Sequence, residues 1–220
     1  MVTPDAFVSE IEFKNQESFR GLVASGYLPA LAGDGASIAD MLRLESRLAI
    51  ETIEAEAIWI VDSESLEMKM LLGNQCGVHA RQFHKLQDRL SALGLAPGSY
   101  DPRQGGYSKL FAFLRSLQTN EERSAAGLLT LGGAAAARLE ALLSVCEARG
   151  DDETAGLIRS DLLPDEQHRV DQGRDKLVLC ATVEESQARA RRAIYKTIEL
   201  LGEIFEPTAL RRALGKSARK

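Results

Sequence analysis

The stretch Asp165-Glu166-Gln167-His168-Arg169-Val170 lies near the start of a long helical pattern, and its histidine stands one residue too early. A four-helix bundle that holds two metals uses Glu-x-x-His, because residues i and i+3 project from one helix face and grip one ion together. Here the residue three after Glu166 is Arg169, a permanent cation with no lone pair to offer a metal. His168, two residues on, is turned about 200° around the axis. The chain therefore reads as a di-metal bundle whose centre has been edited.

Composition supports an all-α chain. The 220 residues are 45% apolar and 27% charged, enough for a real core in one domain plus extensions. Aromatics are sparse at 5% while Ala and Leu abound, which favours helices over sheets. The formal charge of −5 is uneven: the last ten residues hold five Lys and Arg and no acid, so 22 basic and 32 acidic side chains leave residues 1–210 at −10. An acidic body argues against a nucleic-acid surface, and the basic tail, 207–220, reads as a solvated end. Cys76, Cys146 and Cys180 are widely spaced, with no CxxC pair. No basic-then-apolar leader is read, nor any stretch nearing the ~20 apolar residues that span a bilayer. The expectation is a reduced, cytoplasmic protein with no membrane partner.

Residues 1–36, with two prolines and four glycines, are expected to form an extension of one or two short helices around Phe7, Ile11, Phe19 and Leu22. The bundle is expected over 37–206. Its helices run over about 37–61, 66–93, 120–149 and 164–205, with short pieces near 107–117 and 154–160. The first two and the last two are joined by short breaks, so each pair makes an antiparallel hairpin. The Gly- and Pro-rich connection 94–106 and the short helix after it can run back along the second helix, ~40 Å at 1.5 Å per residue. That gives a crossover between two hairpins.

Helical phase separates the glutamates of the first helix. Glu45 and Glu56 share a stripe with Met41, Leu42, Leu48, Ala49, Thr52, Trp59 and Ile60, while Glu54, with Glu51 near it, lies opposite beside Arg43 and Arg47. A carboxylate among Leu and Met needs a metal, a cation or a proton. Glu56, near the helix end, is expected to reach solvent. On the second helix His79 is central among Met68, Leu72, Gln75, Cys76, Phe83, Leu86 and Leu90, and Cys76-x-x-His79 occupies the Glu-x-x-His spacing with sulfur for carboxylate. The third helix has Gly132 at the centre of its inward face, with Leu128, Leu129, Ala136, Leu139 and Leu143, where a glutamate would be expected. The fourth points Glu166 inward, with Arg169 at the edge of that face as a neutralising cation.

These features resemble the ferritin-like di-iron carboxylate superfamily, the group that includes rubrerythrins and di-iron hydroxylases, over about residues 37–206. The resemblance implies a ferritin-like four-helix bundle with Glu on helix one, Glu-x-x-His on helices two and four, and Glu on helix three. This sequence offers Glu45, Cys76 with His79, Gly132, and Glu166 with Arg169. Members with the full set bind two irons and activate oxygen. With the helix-three bridge and helix-four histidine replaced, a full di-iron centre is not expected.

Three functions remain open. The first is a metal-free bundle for binding or assembly, with Glu45 and Glu166 satisfied by Arg169 and His79. The second is an oxidase or hydroxylase with a single Fe, Mn or Zn on Glu45, His79, Glu166 and Cys76, open toward Gly132. The third is metal-free catalysis with His79 as acid–base and Cys76 as nucleophile. A small molecule in the bundle core and a homodimer, by analogy of fold, are the expected partners.

Overall fold

The computed structural model describes residues 2–27, 37–96 and 99–206. Every regular element among them is helical. We number seven helices. α1 is Pro4–Leu22, extended by a π turn Val23–Tyr27; α2 is Ile38–Asp62; α3 is Leu66–Ala92; α4 is Lys109–Leu114. α5 is Asn120–Ala148. α6 runs over 152–180, and α7 is Glu184–Phe205.

The starts are written locally. Ser37 and Asp40 form a reciprocal capping box for α2, and Thr119 and Glu122 do the same for α5, so two orphan N–H groups at each end are satisfied. Between α2 and α3 the Lys69 ammonium donates to the Ile60 carbonyl at 2.7 Å and closes the last turn of α2.

α2, α3, α6 and α5 form the bundle, each antiparallel to the next around the ring. The crossover follows α2 upward and is tied at successive heights. Arg43 O accepts from Tyr100 Oη at 2.7 Å, and Arg47 donates to the Gly106 carbonyl at 2.5 Å. Glu51 accepts from the Ser108 N–H at 2.9 Å, and Trp59 Nε1 donates to the Leu114 carbonyl at 3.0 Å. The chain thus returns to the far end of α2, where Ser63 Oγ and Asn120 Oδ1 lie 3.3 Å apart, and α5 runs parallel to α3. The all-helical class is as expected; α2 with α3 and α5 with α6 run antiparallel, with the crossover between the two pairs. Glu51, expected on the outer side, is buried because it holds this crossover.

Two helices differ from expectation. The N-terminal segment is one long helix rather than short pieces: Phe7, Val8 and Ile11 of α1 are buried against Leu129, Leu177, Ala190 and Ile194 of α5, α6 and α7. The expected helix 164–205 is two helices. α6 ends at Cys180 and α7 begins at Glu184, where Ser186 Oγ caps the Val183 N–H and two glutamates face the first-turn N–H groups. Pro164 does not open a helix; it follows a π turn over Ile158–Leu162 that joins the short piece at 152 to the rest of α6. The expectations for Pro29, Gly33, Gly35 and the basic tail 207–220 fall outside the described residues.

α5 carries the heaviest load. By length and composition it could cross a membrane, where the sequence reading found no such stretch, but more than half of its most apolar window is buried by its neighbours. It starts with an eight-residue π stretch, Arg123–Thr130, in which the Leu131 N–H reaches the Ala126 carbonyl and Thr130 Oγ1 the Ala125 carbonyl at 2.7 Å. Each π turn accommodates about one extra residue and so rotates the rest of the helix by roughly 100°. Leu131, Ala135, Arg138 and Leu142 are therefore buried, while of the expected face Leu139 stays buried and Ala136 and Leu143 are only half-buried.

α5 and α6 meet closely at Gly173, where an added Cβ would stand 2.6 Å from Leu129 N and 2.9 Å from Leu128 Cβ. Backbone cannot yield there. Gly173→Ala is expected to cost about 1–3 kcal/mol and lower the midpoint of thermal unfolding by about 3–10 °C. Gly156→Ala, a helical position with open space around it, should be neutral or stabilising by up to about 1 kcal/mol, and calorimetry of both variants checks the contrast.

Candidate functional site

The residues singled out by sequence do not form one centre. They form two ion-pair groups along the bundle axis. Glu45 and Glu56 are eleven residues apart on α2, about 16 Å along the helix, and each has its own partners.

The first group is built on His79. Its Nδ1 lies 3.0 Å from Glu56 Oε2, and its Nε2 lies 3.5 Å from Glu166 Oε1 and 3.1 Å from Arg169 Nη1. Arg169 Nη1 also donates to Glu166 Oε2 at 3.3 Å, and Arg169 Nη2 lies 3.5 Å from Glu56 Oε1. All four side chains are buried. Glu56, expected at the solvent edge, is fully enclosed and is the nearest carboxylate to the histidine.

Burial opposes a charge on His79, but the carboxylate of Glu56, joined by Glu166, outweighs burial and the repulsion of Arg169, and raises the imidazole to about 9. The ring therefore has two hydrogen-bond arrangements: charged, it donates to both carboxylates; neutral, its Nε2 accepts from Arg169. Two carboxylates against one guanidinium favour the charged form. Glu166 is likewise buried at a cost, yet Arg169 and the His79 hydrogen bond hold it down at about 2.

The second group was missed by sequence. Arg138 of α5 grips Glu45 with two parallel hydrogen bonds, Nε to Oε1 at 3.0 Å and Nη2 to Oε2 at 3.1 Å, the fork geometry that suits a carboxylate. Its guanidinium lies over the Phe205 ring, 5.0 Å from the centroid. Burial works against this charge, and Glu45 more than offsets it, raising Arg138 further. Tyr27 stands beside the pair, its hydroxyl donating to Glu45 Oε1 at 3.4 Å, and burial together with Glu45 lifts that phenol well above its usual range. No tyrosine was placed near the site from sequence. The signal for Arg138 was present: its neighbours three and four residues away are Ala134, Ala135, Ala141 and Leu142, so nothing on its own helix could pair it.

Gly132 lies against the stem of Arg169. An added Cβ would sit 3.3 Å from Arg169 Cδ and 3.2 Å from Val170 Cγ2, so the room expected for a ligand is filled by the arginine itself. Cys76 borders this group beside Glu56: its thiol points to the Ile53 carbonyl at 3.7 Å, and burial, then Glu56, push it up to about 12. His84 and His168 are exposed, and His168 pairs with Gln172 on the outer side of α6.

Both groups line a cavity of about 50 Å³, which also touches Gln82 and Leu131. That is the scale of a few waters, well below a drug-sized pocket of roughly 300–1,000 Å³. A groove of about 460 Å³ with a floor of Phe19, Leu129, Gly133, Ala136 and Val170 lies outside the bundle, between α1, α5 and α6.

A metal fits this arrangement poorly. The Glu56, Glu166 and His79 donor atoms converge on a guanidinium, and Glu45 is occupied by a second one. Among the described residues no three His, Cys, Asp or Glu side chains are placed together to hold an ion.

Two outcomes follow. With His79 raised from 6.5 to about 9, its contribution to stability is complete below pH 6.5, declines above it as the unfolded chain gives up its proton, and is lost beyond pH 9. The loss amounts to at most about 3 kcal/mol, and His79→Gln should flatten the fall in unfolding midpoint between pH 6.5 and 9. Arg138→Met should cost about 3–5 kcal/mol by stranding Glu45, and most of that should return in Arg138→Met/Glu45→Met, read by denaturant unfolding.

Comparison with protein-family models, curated proteins and solved structures found no match to this chain.

Proposed function

We propose that this chain is a bundle of ferritin-like ancestry whose metal centre has been replaced by ion pairs, and that it serves binding or assembly rather than oxygen chemistry. The observation that carries the reading is the position of Arg169. Its guanidinium occupies the space among Glu56, His79 and Glu166, and Gly132 supplies the room for its stem. Three carboxylates, Glu45, Glu56 and Glu166, are met by two guanidiniums and a charged imidazole, so the interior balances without an added cation. An incoming metal ion would have to displace a fixed positive charge held at short range.

The other two readings have less behind them. A mononuclear site on Glu45, His79 and Glu166 would need Glu45 to leave Arg138 and cross to the other group. Thiol chemistry would need Cys76 as a thiolate, which burial and Glu56 oppose.

The test is elemental analysis of protein purified without a metal-affinity tag. Fe, Mn and Zn well under one equivalent per chain, even after anaerobic iron loading, are expected. Near one equivalent, lost in His79→Ala, would overturn the reading in favour of a mononuclear enzyme. The ancestry is tested separately by Gly132→Glu with Arg169→His, which removes the cation and restores the two missing donors in contact positions. The double variant is expected to take up iron, and its failure to do so would count against the ferritin-like ancestry while leaving the metal-free reading intact.

A further inference from the structure

We infer that a second copy of this chain docks on the outer face of α3, antiparallel to it, with Asn74 near the twofold axis. The inference rests on the assembly reading only in naming the partner; its residues lie on the side of α3 away from the ion-pair groups.

The face is defined by phase. Taking about 100° per residue, Glu67, Met70, Asn74, Gly77, Arg81 and Lys85 fall within about 60° of one line on α3. Leu66 and Gly73 flank that line on the side of α2, and Val61 of α2 continues it. Three large apolar side chains here are left in water: Val61 is 77% exposed, Leu66 73% and Met70 62%. All three lie at one end of the α2–α3 hairpin.

Charge selects the occupant. The first turn before and within α3 is acidic, with Glu64 and Glu67 exposed; about four to five turns later the same face carries Arg81, His84 and Lys85, the last paired with Asp161, and then the exposed Asp88. Arg81 makes no ion pair among the described residues, and its guanidinium folds back over Gly77. In an antiparallel pair centred on Asn74, residue 67 of one copy faces residue 81 of the other, and residue 64 faces 84. Glu67 then meets Arg81 twice, once on each side of the axis, as an isologous interface requires. A parallel pairing would oppose like charges and fail.

The helix interior agrees. Gly73 and Gly77 sit in mid-helix, where glycine is unfavourable, and among the described residues nothing lies within 4 Å of a Cβ at Gly73 while only Arg81 approaches one at Gly77. No described residue needs them small. A neighbouring helix crossing at this point does, since two small residues four apart let backbones approach closely.

The experiment is sedimentation equilibrium on the full chain across a hundredfold range of concentration. The wild type is expected to be a dimer. Gly73→Gln/Gly77→Gln should weaken dimerisation at least tenfold without lowering the unfolding midpoint measured at the lowest concentration, because both positions are open in the monomer. Glu67→Arg and Arg81→Glu should each weaken it, and the two together should restore it, the exposed Glu67–Lys176 pair being a minor loss. A monomeric wild type, or a dimer indifferent to both sets of variants, would overturn the inference. Metal content is read independently, so failure here and failure of the metal-free reading are distinguishable.

Discussion

A carboxylate in the dry middle of a helix bundle has to be met by positive charge, and Glu45, Glu56 and Glu166 are met by protein rather than by solvent. This requirement organises the interior. Arg169 and Arg138 approach from α6 and α5, the helices facing α3 and α2, so each guanidinium ties one hairpin to the other. His79 contributes the remaining charge and joins Glu56 to Glu166. Breaking any one partner leaves an uncompensated ion, which is more costly than never having had the pair. Such a network holds the register of four helices even where its net worth relative to an apolar core is small.

The backbone around it is shaped to let these cations in. Gly132 admits the stem of Arg169, and Gly173 lets α5 and α6 approach closely beside it. The π stretch at the start of α5 turns Arg138 inward, and Thr130, whose hydroxyl caps a carbonyl within that stretch, is held in turn by Asn15 Nδ2 of α1 at 3.1 Å. α1 is thus part of the machinery that fixes the phase of α5, and Asn15, which makes this contact, is itself buried.

Much of this could be read from residues. The all-helical class, the capping at Thr119 and the inward placement of His79 and Glu166 follow from periodicity and turn chemistry. The charge-compensating part of Arg169 was legible as well, because a cation at i+3 on an apolar stripe has few other uses. What was not legible follows from two physical causes. Regular helical phase through α5 points Ala136 inward, whereas the π turns shift the buried face by about one residue and bring Arg138 in. Periodicity does not encode the axial stagger of α2 against α3, which places Glu56 rather than Glu45 at the level of His79. The break at 181–183 was hidden by an amphipathic pattern that continues across it, although Glu184, Glu185 and Ser186 are a helix start.

A π stretch is a length of helix holding more residues than its turns need. The phase of everything beyond Thr130 depends on that surplus. Removing a single residue between Arg123 and Thr130 would let the segment relax to an ordinary helix and swing Arg138 away from Glu45. The interior charge balance is therefore vulnerable to deletion here as well as to loss of a partner, and chain length in this segment matters as much as composition.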